Sequence, residues 1–292
     1  MSGEAASQAG YRRFLERRSF IEMSARERVR AVLDPGSFRE MLNPFERVKS
    51  PWLPLQGIVA QADDGVVVAR GTLQGEPALI AAIEGAYQGG SMGEVSGAKI
   101  AGALELALDD CARGRLVLPV LLFETGGVRL QEANLGLAAI AEIHAAIIAL
   151  RRYVPIVGVI AGMVGCFGGM SLAAALCTHL IVTPQARLGM NGPEVIEQEA
   201  GIEELDAADR GLIWSLIGGE QRHATGFADD LLEDDADAVA AAIRTAFSTA
   251  SAPTPARSLQ VERYLELLRG IDPNQPLDGE SLRRLWQPRR VP

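Results

Sequence analysis

Cysteine and histidine are scarce in this 292-residue chain, with three of each. Cys111, Cys166 and Cys177 show no C-x-x-C spacing, so neither a zinc site nor a disulfide framework is indicated. They sit in apolar or helical contexts, where cysteine is a small buried hydrophobe, and a reducing cytoplasm is the expected compartment. His144, His179 and His223 fall in no G-x-S-x-G or H-E-x-x-H pattern. His144, mid-helix among alanines and isoleucines, reads as a packed polar residue. No G-x-x-x-x-G-K-[ST] is present, so a nucleotide P-loop is not indicated. Basic charge is short too. Lys and Arg total 28 against 37 Asp and Glu, a net charge of −9 that offers no basic face to nucleic acid. Met1 to Arg13 is polar and lacks the apolar run of a signal peptide.

One run suggests a membrane. Tyr153 to Thr178 carries no charge and is long enough to span a bilayer. Pro155, Gly158, Gly162, Gly165, Gly168 and Gly169 interrupt it, and Val154 to Ile160 reads as a short buried parallel strand. No membrane association is expected.

What is present is a hydrophobic content of 48%, enough for a sizeable core. Ser24-Ala25-Arg26-Glu27 is a capping box opening a helix to about Leu33. Gly57 to Ala62, Val66 to Thr72 and Ala78 to Glu84 read as strands, and Gly85 to Gly97 as a glycine-serine loop. Helix 99–113, strand 116–123, helix 129–151, strand 154–160, helix 170–177 and strand 179–183 follow. This alternation implies an α/β sheet covered by helices. Asp229 to Asp237 reads as a solvated acidic turn and helix start, Thr249 to Pro255 as a linker, and Ser258 to Leu268 as the last clear helix. The expected organisation is a flexible 1–18, one domain over 19–248, and a linker, helix and basic tail over 249–292. The tail, with Trp286 and several arginines, either docks a partner or is disordered.

The strongest signal is a pair of similar turns. Strand 116–123 runs into Glu124-Thr125-Gly126-Gly127-Val128-Arg129, and strand 154–160 runs towards Gly165-Cys166-Phe167-Gly168-Gly169-Met170. Each is read as leading straight into a helix, whose first amides lack internal acceptors. Glycine admits a ligand close to the main chain. Such amides can stabilise developing oxyanions; the alternative is tight packing at two strand–helix turns. The candidate catalytic groups are the backbone amides of Gly126, Gly127, Val128, Gly168, Gly169 and Met170. No metal-ligand pattern is seen.

These residues resemble a family. Gly89-Gly90-Ser91-Met92-Gly93 with Lys99-Ile100, Thr125 to Glu132, and Gly192-Pro193-Glu194-Val195-Ile196-Glu197-Gln198 are similar to motifs of the acyl-CoA carboxyltransferases, the crotonase-like β subunits of acetyl-CoA and related carboxylases. Cys166 to His179, then Ile181-Val182-Thr183 and Ala186-Arg187-Leu188-Gly189, resemble the glycine-glycine helix and core strand of crotonases. The resemblance covers roughly Ser19 to Asp235. The four-cysteine zinc ribbon of the acetyl-CoA carboxylase β subunit is missing, and Ile213 to Arg222 departs from its pattern. Over its length the chain is more similar to the β subunits of biotin-independent malonate decarboxylases.

The resemblance implies a crotonase-like fold of ββα units and a site shared with a γ subunit, the carboxyltransferase α-like half. It implies malonyl-S-acyl carrier protein as substrate, carried on a phosphoribosyl-dephospho-CoA arm resembling coenzyme A. An α subunit, the acetyl-S-carrier:malonate transferase, would complete the assembly, with no covalently bound cofactor and no biotin. Gly89, Gly90, Ser91, Met92, Arg129, Gly165 and Cys166 are the substrate-binding candidates. Two alternatives stay open: a biotin-dependent carboxyltransferase half, and a non-catalytic scaffold that binds an acyl carrier. The isolated chain is expected to be inactive. Bulk at Gly127 or Gly169 is expected to block the backbone-amide site.

Overall fold

The computed structural model describes residues 17–286 except 60, 62, 133, 250–255, 273, 274, 276 and 277. Seven strands form one sheet in chain order: β1 Arg39–Met41, β2 Val66–Leu73, β3 Glu76–Ile83, β4 Leu118–Phe123, β5 Val157–Ile160, β6 His179–Val182 and β7 Asp230–Leu231. β1 to β3 are antiparallel, and every pairing from β3 onward is parallel. The β2–β3 hairpin turns on Gln74 and Gly75, both at positive φ (53° and 85°), the two-residue turn that suits strand twist.

Alternate residues of the sheet point to opposite faces. Val66, Val68, Leu79, Leu121 and Phe123 face one core. It is covered by α2 Glu94–Ala112, α3 Asn134–Leu150 and α4 Gly169–Leu176. Val67, Ile80, Val120, Val157 and Ile181 face the other, under α1 Ala25–Val32 and α8 Ala236–Thr249. Burial on both faces explains why β4 to β6 are apolar without alternation. The remaining helices are α5 Pro193–Ala200, α6 Arg210–Ile217, α7 Gly219–Ala224, α9 Val261–Arg269 and α10 Gly279–Trp286. No helix among the described residues is long and apolar enough to cross a membrane.

The capping box at Ser24 forms as read: Glu27 takes the Ser24 N–H at 2.8 Å. Other expectations shift. Gly57 to Ala62 is not a strand. Pro54–Gln56 is a 3-10 turn closed by Gly57 in the left-handed region, and Val59 is 81% exposed; Ala60 and Ala62 lie outside the described residues. The edge of β2 is taken by Arg39–Met41 instead. α2 starts at Glu94, before the expected Lys99, because Ser96 Oγ accepts the Gly93 N–H at 2.8 Å and caps it. Gly97 is thus helical and close-packed, since a Cβ there would lie 2.5 Å from Ala139 Cβ.

The C-terminal segment differs as well. Arg283 and Arg284 belong to α10, and Trp286, 6% exposed, packs its ring at a tilt against Phe227 and Tyr264. Up to Trp286 the tail therefore docks on its own chain; Gln287 to Pro292, and linker residues 250–255, lie outside the described residues. The acidic cluster is more than a solvated face. Asp230 and Leu231 form β7, and Asp234 accepts from Ser19 Oγ at 2.5 Å and Ile21 N at 3.0 Å. Residues 1–16, most of the expected flexible N-terminus, lie outside the described residues, while Arg18 O accepts the Ala236 N–H at 2.9 Å.

One buried ion pair ties α1 to the end of β4. Arg28 Nη1 meets Glu124 Oε2 at 2.8 Å, both side chains under 10% exposed. Arg28 also donates to the Phe20 and Ile21 carbonyls. Removing one partner of a buried pair strands the other charge and costs about 3–5 kcal/mol. Glu124→Ala is expected to lower the melting temperature by about 10 °C. An unchanged melting temperature by differential scanning calorimetry contradicts this.

Candidate functional site

β4 and β5 end side by side, Phe123 opposite Ile160. The crevice beyond the carboxyl ends of parallel strands is where open α/β sheets bind ligands. Above it a short second ladder forms. Thr125 bridges Cys166: its N–H donates to Gly165 O at 2.8 Å, and Phe167 N–H donates to Thr125 O at 3.0 Å. Cys166 bridges on to Leu188. Met92 bridges Val128, through Met92 N to Gly127 O and Arg129 N to Met92 O, both 2.8 Å.

This ladder brings the two glycine turns face to face. A Cβ at Gly168 would lie 3.3 Å from Gly127 Cα and 4.0 Å from Val128 N. Gly127 (φ 119°) and Gly168 (φ 62°) adopt backbone that side chains resist.

The six candidate amides divide into two sets. Gly126 N–H donates to Gly89 O at 2.9 Å, Gly127 N–H to Thr125 Oγ1 at 3.1 Å and Gly168 N–H to Met190 O at 2.8 Å. Those three are already engaged. Val128, Gly169 and Met170 have no acceptor for their N–H groups among the described residues. Gly169 and Met170 open α4, where the helix dipole adds positive potential. The first turn does not run straight into a helix as expected. Arg129 ion-pairs with Glu132 at 3.0 Å and holds 129–132 as a turn, so α3 begins only at Asn134.

The substrate-binding candidates make contacts within the chain. Gly89 O accepts Gly126, and a Cβ at Gly90 (φ 65°) would collide with the Glu124 carbonyl. Ser91 accepts from Arg129 through Oγ at 3.2 Å and through its carbonyl at 2.8 Å. The Met92 side chain is fully buried in the core. A Cβ at Gly165 (φ 84°) would lie 2.6 Å from Arg187 O. Cys166 N–H is spent on that same carbonyl at 2.9 Å. Burial pushes the Cys166 thiol well up and the Cys177 thiol up to about 12. Lys99, a motif residue, is buried and paired with Asp64 at 2.8 Å.

Arg129 borders a cavity of about 100 Å³, with Lys49, Asp64, Tyr87, Gln88 and Glu132 among its walls. Its guanidinium lies 5.6 Å from the Tyr87 ring centroid. None of the lining residues belongs to the Gly126–Val128 or Gly168–Met170 turn. Near those turns lie exposed apolar side chains instead: Leu130, Met163, Leu172 and Met190. No group of three His, Cys, Asp or Glu among the described residues could hold a metal ion.

Two residues make contacts that the sequence did not reveal. Glu124 accepts Val164 N–H at 2.8 Å beside its Arg28 contact, and a Cβ at Gly85 or Gly162 would strike it. The glycines around it were the available signal. His144 places Nε2 2.8 Å from Gly169 O, a contact that no linear motif encodes.

A parallel sheet under helices, with two apposed amide turns above its strand ends, defines a crotonase-like α/β protein. The sequence pattern of the carboxyl transferase domain matches residues 22–284. The malonyl-S-ACP:biotin-protein carboxyltransferase MADC of Malonomonas rubra is 43% identical over 230 residues, covering 75% of this chain and 72% of its own. One chain of a Pseudomonas malonate decarboxylase hetero-tetramer, crystallised with malonate, is 61% identical with a TM-score of 0.90, covering 94% of this chain and 100% of that one. A chain of the Pseudomonas MdcD-MdcE hetero-dimer is 57% identical with a TM-score of 0.73, covering 86% and 97%. The chain belongs to the carboxyl transferase domain family, on the branch of the malonate decarboxylase β subunits.

Gly127→Val is expected to lower turnover at least about a hundredfold, near 2.7 kcal/mol, in folded and assembled protein. Near-normal turnover contradicts this. Gly169→Val is a poorer probe than the sequence suggests. A Cβ there lies 2.8 Å from Ile140 Cγ2, so valine strains α3–α4 packing before it meets any ligand. The three buried cysteines are expected to resist a charged thiol reagent until the protein unfolds. Modification of the native protein at the unfolding-independent rate of a free thiol contradicts this.

Proposed function

We propose that this chain binds malonyl-S-acyl carrier protein at the two glycine turns and, with a second carboxyltransferase half, releases CO2 to leave acetyl-S-acyl carrier protein. The observation that carries this reading is the unpartnered set of amides at Val128, Gly169 and Met170 beside the apposed glycines Gly127 and Gly168. Decarboxylation breaks the bond between the malonyl methylene carbon and its carboxylate. The electron pair moves into the thioester, and negative charge develops on the thioester oxygen. The Val128 amide on one turn and the Gly169 and Met170 amides on the other receive that oxygen and the departing carboxylate between them. A well-placed oxyanion donor is worth roughly 3–4 kcal/mol of barrier. The enolate then takes a proton at carbon, from an acid that the partner subunit would supply.

The partner is supported by the relatives, described as a hetero-tetramer and a MdcD-MdcE hetero-dimer. Leu130, at 82% exposed, with Met163, Leu172 and Met190, gives an apolar margin suited to a subunit interface. The carrier arm is taken to be the CoA-like phosphoribosyl-dephospho-CoA group, an α subunit to supply the transfer step, and the cytoplasm to be the compartment.

The M. rubra relative favours a second reading, since its name couples malonyl-S-ACP to a biotin protein. The two separate on product. The co-purified complex is expected to release CO2 from a malonyl thioester without any biotin protein and unaffected by avidin. CO2 release that requires a biotinylated protein overturns the decarboxylase reading. Carrier binding without turnover in the assembled complex leaves only a scaffold.

A further inference from the structure

α3 and α4 pack closely because Gly169 has no side chain to separate them from Ile140. His144 lies one helical turn beyond Ile140 on the same face of α3. This places its imidazole against the start of α4, where Nε2 is 2.8 Å from Gly169 O. A carbonyl can only accept, so Nε2 carries the proton. Gly169 O and Met170 N belong to one peptide unit, and in a planar trans peptide C=O and N–H point in opposite directions. The imidazole therefore holds one end of the peptide whose other end is an unpartnered N–H.

We infer that His144 is a positioning residue for the reaction: its Nε2–H grips the Gly169 carbonyl, aims the Met170 amide and strengthens it as a donor to the substrate oxyanion. This rests on the amide-site reading above. Two physical effects support it. Hydrogen-bonded peptide chains polarise one another, by ~10–30% per bond. The peptide also follows two consecutive glycines, Gly168 and Gly169, whose backbone is the least restrained in any chain. Gly169 already opens α4, and the imidazole adds a second hold on its carbonyl before the substrate arrives. His144 itself touches no reacting atom.

The test pairs two polar substitutions in the assembled complex, assayed with a malonyl-S-carrier substrate. Glutamine can place its amide N–H near the Nε2 position, whereas asparagine is too short to reach Gly169. His144→Asn is expected to lower kcat about tenfold with KM within about twofold. His144→Gln is expected to retain kcat within about threefold. Equal kcat in His144→Asn and wild type overturns the inference. So do equal losses in both variants, a change confined to KM, or failure of His144→Asn alone to fold or assemble, since each makes the contact merely structural. Absence of decarboxylation by the wild-type complex is a different result and refutes the amide-site reading itself.

Discussion

Two isolated parallel bridges, Met92 with Val128 and Thr125 with Cys166, hold the site together. Each uses main-chain atoms only, and between them they consume the amides of Met92, Thr125, Phe167 and Arg129. What they leave over is the proposed site: N–H groups at Val128, Gly169 and Met170 with no acceptor among the described residues. A buried or half-buried N–H without a partner is costly. Leaving several together is reasonable where a substrate oxygen supplies the acceptor.

The rest of the fold serves that spacing. The parallel strands fix where Phe123 and Ile160 end. Glu124, buried beside Arg28, fastens the loop through Val164. α4 begins at the turn, so its positive end faces the apposed Gly127–Val128 segment. The glycines have two distinct roles. Gly90, Gly162 and Gly165 have no room for a Cβ because backbone or carboxylate atoms press on them. A Cβ at buried Gly127 would meet Gly168 Cα and Phe167 O at 3.9 Å, so it is the φ of 119° that calls for glycine there. The first group lets the loops pack, and Gly127 lets the chain turn.

Strands β2 to β6 were legible from the sequence because apolar runs between turn residues mark strands directly, whereas the short β1 and β7 carry no such run. The capping box at Ser24 was legible for the same local reason. The false strand at 57–62 had the pattern but no sheet edge to join, as Arg39–Met41 already occupied it. α10 was hidden because its few apolar residues, Leu285 and Trp286 among them, find their partners far away in sequence. At the site, glycine pairs announced the turns. Which amides remain free depends on acceptors such as Gly89 O and Met190 O, and these come from segments that no motif connects. The contact of His144 with Gly169 is of this long-range kind as well.

The central claim is that backbone N–H groups, and no side chain of this chain, carry the charge of the reaction. Replacing the Val128 or Met170 amide by an ester, through the corresponding α-hydroxy acid, deletes one N–H and leaves every side chain in place. Turnover of the assembled ester variants on a malonyl-S-carrier tests this directly. Each replacement is expected to lower kcat by about 10²–10³, with carrier binding little changed. Full turnover in both ester variants would contradict the account.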